Sequence, residues 1–311
     1  MTKTIMSITI DTECDKSVDW SNSKPLTFKS VTHGVPNILQ PIFKKFRIKP
    51  TYFLSPEVIE NQECVKVLSN IIDDCELGTH LHADYIEPEK TFVNFAGKAT
   101  HAFQTDFSPE IEFNKLKNLT DSFHQAFKFS PVIFRSGRYA ANENTIQSLI
   151  NLGYKVDSSF TPHMKWVSPA GNIIDHESSP EQPYFCNPQN IYEESESSLL
   201  EIPITIINTK KFFLLNKKIW LRPKFASINE VKKIFEYVKF HYKKNDFIVF
   251  NMMFHSQEII PNASPYTRTD HEVMEYISFL EEVFKLAQKE GIGFVTLEEI
   301  FDMATQFRSN I

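Results

Sequence analysis

The sequence is short of cysteine and lacks runs of like charge. Its four cysteines contain no CxxC pair, which disfavours a disulfide framework and a zinc knuckle and predicts reduced thiols. The formal net charge is −6, and no long basic run occurs. Nucleic acid and anionic membranes are therefore not expected as main partners of the protein.

Long hydrophobic runs are missing as well. No uncharged apolar stretch approaches the roughly twenty residues that a membrane-spanning helix needs. The apolar run near the N-terminus meets Asp11 too early for a secretory signal peptide. These absences predict a cytoplasmic protein without a membrane span, and they leave its oligomeric state open.

What the sequence does contain is an alternation of strand and helix patterns. Short β-branched and apolar segments alternate with longer ones whose apolar residues recur at helical spacing. This alternation is typical of a parallel α/β sheet, open or closed into a barrel. The predicted strands include residues 3–10, 49–55, 132–136, 199–207, 246–255 and 291–297, and the predicted helices include 34–47, 56–72, 108–127, 142–153, 228–243, 269–289 and 297–307.

The chain is predicted to form one domain over residues 1–311. No internal repeat is visible, and the Pro-, Ser- and Glu-rich region 161–198 is followed by further strand patterns. This region is therefore interpreted as a long loop insertion rather than a linker, and residues 86–107 are interpreted as a second surface loop.

Polar side chains capable of chemistry stand at the C-terminal ends of several predicted strands. In parallel α/β sheets and barrels these strand ends meet at one edge, where functional sites form. We therefore expect the side chains to lie close together. They are Asp11 and Glu13, His80 and His82, Arg135, Asp157, and His255.

Asp11 and Glu13 are two residues apart at a strand end, so both side chains leave on one face. Two carboxylates held together repel each other, and one pKa rises unless a cation separates them. One of the pair could bind a metal ion while the other acts as a base. A helix cap or a solvated turn is the alternative interpretation of this pair.

His80 and His82 share a face if their segment is extended, whereas His80 and Asp84 share one if a helix begins after Gly78. Either pair, joined by Glu13, supplies three nitrogen and oxygen ligands and leaves a coordination position for water. Such a set is typical of a catalytic rather than a structural zinc site. We expect His82 to be the third ligand, because a neutral imidazole binds zinc without adding charge, and Asp84 is the alternative.

Arg135 and His255 each follow an apolar strand. An arginine at the mouth of the sheet can bind a carboxylate such as Asp11, with a surface salt bridge as the alternative. A histidine at a strand end suits acid–base chemistry, although a histidine of the core, bonded to the backbone, is the simpler interpretation of His255.

Five short motifs stand in the order found in a known family. They are TIDTE (9–13), ELGTHLH (76–82), FRSGRY (134–139), DSS (157–159) and MMFHS (252–256). In this set the sequence resembles the polysaccharide deacetylases, which are carbohydrate esterases with a NodB homology domain. Among them it resembles a bacterial branch encoded near surface-polysaccharide genes. The resemblance implies a distorted (β/α) barrel of about seven parallel strands and a divalent metal, usually Zn²⁺.

The resemblance also implies a role for each motif residue. Asp11 corresponds to the general base, held by Arg135, and His255 to the general acid, oriented by Asp157. Glu13 takes the place of the metal-binding aspartate. His80 matches the first metal histidine, and the family's four-residue spacing would put Asp84 in the role of the third ligand, although His82 is the ligand expected here. Tyr139 and Arg138 are expected to bind the substrate, with a backbone N–H near Tyr139 for the oxyanion.

The motifs depart from the family pattern in three places. The usual pair of adjacent aspartates is interrupted by Thr12, the usual histidines are four residues apart, and Gly137 and Arg138 intervene in the arginine motif. The implied function is a metal-dependent hydrolase that removes N-acetyl groups from an amino-sugar glycan or glycan precursor. The alternative is a catalytically degenerate protein of the same fold that binds a carbohydrate.

Overall fold

The protein, seen here in a computed structural model, is described over residues 2–23, 25–92, 103–211 and 214–309. Its strands are β1 Lys3–Thr12, β2 Thr51–Leu54, β3 Glu76–Leu81, β4 Ile133–Ser136, β5 Val156–Asp157, β6 Lys165–Val167, β7 Ile173–Asp175, β8 Tyr184–Asn187, β9 Asn190–Glu194, β10 Leu200–Glu201, β11 Ile206–Lys211, β12 Leu214–Trp220, β13 Phe247–His255 and β14 Gly293–Phe294.

Seven strands of the described chain pair side by side in parallel, in the order β13, β1, β2, β3, β4, β5 and β10. The sheet continues through β8 and β9 as antiparallel strands, and β14 adds to β1 in parallel. The array curls so that the two ends of its parallel part meet. Thr205 N–H, which follows β10 at one end, donates to the carbonyl of Asn251 on β13 at the other end, at 3.0 Å. The predicted distorted barrel of about seven parallel strands is confirmed.

Strand register decides which side chains point into the curl. Residues in register on neighbouring parallel strands share a face. Asp11 is in register with His255 and with Phe53, and His80 is in register with Arg135. The guanidinium of Arg135 lies 4.3 Å from the centroid of the Phe53 ring. All five side chains therefore share the inner face.

Inside the barrel, the polarity of the side chains changes along the strands. Polar side chains such as Thr9 and Asn251 occupy the middle, where the Thr9 hydroxyl donates to Asn251 Oδ1 at 3.0 Å. The candidate catalytic residues occupy the C-terminal end. The opposite end is apolar and is closed by a C-terminal helix, through a cluster that includes Ile5, Ile133, Val156, Leu200, Val249, Leu297 and Ile300.

The helices pack mainly against the outer face. Met6, Ile8 and Ile10 alternate with the inner residues of β1 and belong to the large outer core that buries the apolar faces of the helices. A π-helical segment, Ser30–Leu39, leads into the first α-helix. The α-helices are α1 Gln40–Phe46, α2 Pro56–Glu60, α3 Gln62–Ser69, α4 Pro109–Phe127, α5 Glu143–Asn151, α6 Ile228–His241, α7 Asp270–Lys289 and α8 Leu297–Arg308.

Three predicted elements differ from the structure. The helix predicted over 56–72 divides at Asn61, whose side chain accepts from Cys64 N–H and caps α3. The strand predicted over 199–207 is two strands, β10 and β11. The strand predicted over 291–297 is reduced to β14, because Thr296 caps α8.

Region 161–198, predicted as a loop insertion, holds the antiparallel pair β6–β7 and the strands β8 and β9. Of the second predicted insertion, 86–107, residues 93–102 lie outside the described part of the chain. The single-domain boundary, 1–311, stays a prediction. None of the described helices combines the length and the apolar character that crossing a membrane requires.

Candidate metal centre and active site

Three potential metal ligands converge at the C-terminal end of β1 and β3. Oε1 of Glu13 lies 3.5 Å from His80 Nε2 and 3.3 Å from His82 Nε2, and the two Nε2 atoms are 3.1 Å apart. All three residues are buried. They are the three that the sequence predicted as ligands.

The spacing of these donors fits a small divalent cation. A tetrahedral zinc ion with bonds of about 2.0–2.1 Å holds its donors roughly 3.3 Å apart. The three donor–donor distances, 3.1, 3.3 and 3.5 Å, centre on that value. One carboxylate oxygen and two imidazole nitrogens are also the ligand types of catalytic zinc sites. The residues present therefore fit the implied metal.

Two features of the donors agree with this fit, although Asp11 and Glu13 outweigh the effect of burial and raise the pKa of His80. His80 Nδ1 lies 3.0 Å from the carbonyl of Arg135, so Nδ1 carries the proton and Nε2 presents a lone pair to the site. Burial lowers the pKa of His82, which favours its neutral, metal-binding form. Burial alone would raise the pKa of Glu13, but His82 and Lys16 outweigh it and lower this pKa well below the usual value.

Lys16 is a part of the site that sequence reasoning missed. Its Nζ lies 3.3 Å from Oε2 of Glu13, the oxygen that faces away from the histidines. Nζ also donates to Asn22 Oδ1 at 2.8 Å. The ammonium therefore holds the ligand carboxylate in place and compensates its charge. The spacing of three residues between Glu13 and Lys16 was the available signal.

Asp84, the alternative third ligand, lies apart from the three converging donors. One of its oxygens accepts from the Thr91 hydroxyl at 3.3 Å, and the other lies 3.8 Å from Nη1 of Arg138. The strand β3 extends to Leu81, so the extended geometry brings His80 and His82 together. Arg138, predicted to bind substrate, has a half-exposed side chain.

Asp11 is bound by Arg135 through one oxygen and leaves the other facing the donors. Arg135 Nη1 donates to Asp11 Oδ1 at 2.7 Å, its Nη2 donates to the hydroxyls of Thr9 and Ser158, and its Nε donates to the Ser158 carbonyl. Asp11 Oδ2 lies 3.9 Å from Nε2 of both His80 and His255.

Arg135 is fully buried, so the surface-salt-bridge interpretation of this residue is wrong. Burial raises the pKa of Asp11, but Arg135, His80 and His255 outweigh it, and the net pKa is lowered. Asp11 is therefore an anion with a fixed orientation.

His255 faces the donors from β13. Its Nε2 lies 3.8 Å from Glu13 Oε1, and its side chain is partly exposed. Its Nδ1 lies 2.8 Å from Oε1 of Glu258, which also accepts from Arg222 Nη2 at 2.6 Å. Glu258 therefore orients His255. The core interpretation of His255 is wrong, and so is the prediction that Asp157 orients it.

Asp157 fails that role because of strand register. It is in register with Phe134 of β4, whose side chain packs in the outer core, so it points away from the face that carries Arg135. Asp157 instead pairs with Glu201 of β10, its register partner. Burial raises the pKa of both carboxyl groups, so a proton on Glu201 can be shared with Asp157.

The turn after β4 presses against the candidate metal ligands. Gly137 has no room for a side chain, since an added Cβ would lie 2.4 Å from the Leu81 carbonyl oxygen and 3.0 Å from His82 Cδ2. Arg138 and Tyr139 follow with φ of 54° and 60°, a left-handed conformation that non-glycine residues adopt rarely. Tyr139 is buried, and its hydroxyl donates to the sulfur of Met253 at 3.5 Å.

No family model and no curated protein matches the sequence. Among solved structures, the chain is similar to a candidate polysaccharide deacetylase from Mycobacterium smegmatis, with 13% identity, a TM-score of 0.55, and coverage of 99% of this chain and 92% of that one. The chain has the polysaccharide deacetylase fold. The resemblance read from the motifs is thus confirmed at the level of the fold, while the surface-polysaccharide branch stays a prediction.

The deacetylase fold extends to enzymes of other chemistry. The chain is similar to a 4-α-glucanotransferase from Thermococcus litoralis, with 14% identity, a TM-score of 0.54, and coverage of 96% of this chain and 40% of that one. It is also similar to a GH57 branching enzyme from Thermococcus kodakaraensis, with 9% identity, a TM-score of 0.51, and coverage of 96% and 71%. The activity must therefore be argued from the site itself.

Proposed function

We propose that the protein is a metal-dependent hydrolase that removes N-acetyl groups from an amino-sugar-containing glycan or glycan precursor. The observation that carries the proposal is the convergence of Glu13, His80 and His82 at zinc-like spacing, with Asp11 and His255 both within 3.9 Å of this group. Zn²⁺ is the proposed metal, an N-acetylated saccharide the proposed substrate, and the cytoplasm the proposed location.

Glu13, His80 and His82 hold the metal in this proposal. The bound metal supplies an acidic water molecule and polarises the acetamide carbonyl. Asp11 Oδ2 takes a proton as water attacks the carbonyl carbon, a role supported by its anionic state and by the bond of Oδ1 to Arg135.

His255 acts as the acid. An unprotonated amine is a poor leaving group, so a proton must reach the nitrogen as the C–N bond breaks. The side chain of His255 is partly exposed, its Nε2 faces the donors, and Glu258 bonds to the opposite ring nitrogen. Protonation of the amine at Nε2 is thus compatible with a ring whose orientation is fixed.

Cleavage of a glycosidic bond fits the site less well. That chemistry uses two carboxyl groups, one of which must be protonated to act as acid. Here the pKa of Asp11 is lowered by Arg135, His80 and His255 against the effect of burial, and the pKa of Glu13 is lowered further. Neither carboxyl is available as an acid near neutral pH, so the acid falls to His255.

The test combines metal analysis with acetate release from N-acetylated saccharides. We expect the wild-type protein to bind about one Zn²⁺ and to release acetate. Asp11→Asn should keep the metal and lose turnover by roughly 100- to 10,000-fold, because it removes the base. His80→Ala should lose the metal.

A wild-type protein that binds zinc but releases no acetate from any N-acetyl saccharide would instead favour the alternative, a carbohydrate-binding protein. Full turnover in Asp11→Asn would contradict the assignment of the base.

A further inference from the structure

The chemistry of deacetylation determines on which side of the site the sugar lies. When the amide C–N bond breaks, the amine stays on the sugar ring and the acetyl group leaves. In the proposed function His255 protonates that amine, so the sugar must sit on the His255 side of the metal ligands. The surface around His255 is thus where the protein would contact the sugar.

Trp20 provides an aromatic surface at this position. Its ring centroid lies 5.2 Å from that of His255, with the two planes at 55°. The edge of Tyr266 supports it at 5.7 Å, in a T-shaped contact. Unlike Tyr139, which is buried, Trp20 is partly exposed. Part of the indole is therefore accessible beside the imidazole of His255.

The loop presents Trp20 in an unusual backbone conformation. Trp20 has a φ of 63°, and bulky residues rarely adopt such left-handed values unless the surroundings impose them. The surroundings here are a tight turn, in which Trp20 N–H donates to the Ser17 carbonyl at 3.1 Å and Ser17 N–H donates to the Ser21 carbonyl at 2.9 Å. The turn holds the indole over the mouth of the barrel.

The charge next to Trp20 limits which saccharides can bind. Hydrogen bonds from Ser17 and then Ser21 lower the pKa of Asp19 to about 2, so its carboxylate is ionised at neutral pH. A phosphate-bearing sugar stacked on Trp20 would be repelled by this neighbouring carboxylate, whereas a neutral saccharide would not.

We propose that Trp20 is a platform on which the pyranose ring of a neutral N-acetylated saccharide stacks, beside His255. The C–H groups on one face of a pyranose carry partial positive charge and pack against the electron-rich face of an indole. The assignment of the side rests on the proposed deacetylation, because it uses His255 as the acid. It names a neutral glycan, rather than a nucleotide sugar, as the substrate class.

The experiment measures binding and turnover separately, using triacetylchitotriose as the neutral probe and uridine diphosphate N-acetylglucosamine as the phosphorylated one. Calorimetry gives Kd, and acetate release gives kcat and KM. We expect Trp20→Ala to raise both Kd and KM for the trisaccharide about tenfold or more, with a smaller change in kcat. Trp20→Phe should retain most of the affinity, and the wild-type protein should prefer the trisaccharide.

The control is Phe240→Ala. Phe240 is an exposed aromatic side chain on α6, near the start of β13 and so at the opposite end of that strand from His255. This variant should bind the trisaccharide as the wild type does, which separates loss of the platform from loss of any exposed aromatic ring.

The outcomes distinguish the platform from the deacetylase activity. Binding that depends on Trp20 without any acetate release would support the platform and contradict the activity. Acetate release with an unchanged KM in Trp20→Ala would contradict the platform and leave the activity intact. Absence of trisaccharide binding by the wild type at millimolar concentration, or tighter binding of the phosphorylated probe, would overturn the inference.

Discussion

A single oxygen of Glu13, Oε1, faces both histidines of the candidate metal centre. Thr12, which interrupts the family's pair of aspartates, uses its hydroxyl to donate to the Ile10 carbonyl at 3.0 Å. Because side chains alternate along a strand, the carboxylate one position later returns to the face of Asp11. The departure from the family motif thus preserves two carboxylates at the mouth, and Lys16 compensates the second.

Glu258 holds His255 in place, as Lys16 holds Glu13. Its buried carboxylate bonds to His255 Nδ1, to Arg222 and, through the other oxygen, to the hydroxyl of Tyr276 at 2.5 Å. Burial alone would raise the pKa of Glu258, but Arg222, His255 and Tyr276 outweigh it and lower the pKa from 4.5 to about 2. The spacing of three residues between His255 and Glu258 was a signal in the sequence that we did not use.

Glu258→Gln should therefore destabilise the protein in a pH-dependent way. Because the folded pKa lies below the unfolded one, the stabilisation is complete above pH 4.5 and is lost as the pH falls towards about 2. We expect a loss of about 3 kcal/mol at pH 7 that shrinks steadily below pH 4.5. Urea unfolding at pH 7 and pH 3 measures it.

A control for Glu258→Gln is Glu282→Gln, at an exposed position of α7, which should change stability little at either pH. A loss in Glu258→Gln of equal size at pH 7 and pH 3 would show that packing, and not the charge of Glu258, is responsible.

At the scale of elements, the turn after β4 sets the position of the third ligand. Among the described residues, His82 Nδ1 has no hydrogen-bond partner, so no bond to that nitrogen fixes the orientation of the ring. The ring is confined instead by Gly137 and by Tyr85. A Cβ added at Gly137 would lie only 3.0 Å from His82 Cδ2, and the rings of His82 and Tyr85 make a T-shaped contact. Contact between elements thus replaces the usual hydrogen bond to a ligand histidine.

Gly137→Ala should displace His82 and weaken the metal site. The added Cβ would lie 2.4 Å from the Leu81 carbonyl oxygen, which is backbone and cannot simply rotate away. We expect zinc affinity to fall roughly tenfold to 100-fold, with a loss of about 1–3 kcal/mol in stability from overpacking. Titration with a zinc-sensitive dye and thermal unfolding measure the two effects.

Gly293→Ala is the matched control for Gly137→Ala, because nothing lies within 4 Å of a Cβ added at Gly293 in β14. Unchanged zinc affinity in Gly137→Ala would mean that the turn does not position His82.

The pairing of β5 with β10 places two carboxyl groups side by side in a buried position, where ionisation is unfavourable. Asp157 and Glu201 are both buried, and burial raises both pKa values. A raised carboxyl pKa means that the folded state favours the protonated form, so stability falls as the pH rises through the unfolded pKa. Glu201→Gln removes the acid that burial and Asp157 keep protonated at a cost in free energy near neutral pH, and its amide can still accept from Phe160 N–H and donate to Asp157.

We expect Glu201→Gln to stabilise the protein by about 1–2 kcal/mol at pH 7 and by much less at pH 4, where the wild-type pair is already protonated. Denaturant unfolding at both pH values tests this. Glu201→Ala provides the contrast: it leaves Phe160 N–H without its acceptor and should destabilise. A Glu201→Gln variant that is less stable than the wild type at pH 7 would show that the charged pair is favourable.

At the scale of the whole molecule, the predictable part of the fold was what local pattern and register determine. Alternating apolar patterns gave the strands, and strand ends gave the positions of Asp11, His80, Arg135 and His255. Asp157 was misplaced because β5 is only two residues long, and a pattern that short does not reveal which face a side chain takes. Glu258 and Lys16 stand three residues from His255 and Glu13 and could have been found from that spacing, whereas Arg222 reaches Glu258 from 36 residues away, through packing that no short motif encodes.

The convergence of Glu13, His80 and His82 predicts that metal binding stabilises the fold of the whole chain. Glu13 directly follows β1, whereas His80 and His82 lie at the end of β3, so only folding brings the three together and an ion bound to all of them binds the folded state preferentially. Free Zn²⁺ at 1,000 times its Kd should then add about 4 kcal/mol to the free energy of unfolding. Thermal unfolding with zinc and with a chelator measures this as a difference in Tm.

The variants decide whether that shift comes from this site. His82→Ala should reduce the zinc-dependent shift in Tm strongly, since two donors hold zinc far less tightly than three. Asp11→Asn should retain it, because Asp11 Oδ2 lies 3.9 Å from His80 Nε2 and serves as a base in the proposal rather than as a ligand. A shift that persists in His82→Ala and disappears in Asp11→Asn would place the ion beside Asp11 and reassign the ligands. The roles of base and ligand are thus separated by stability alone, without any assay of turnover.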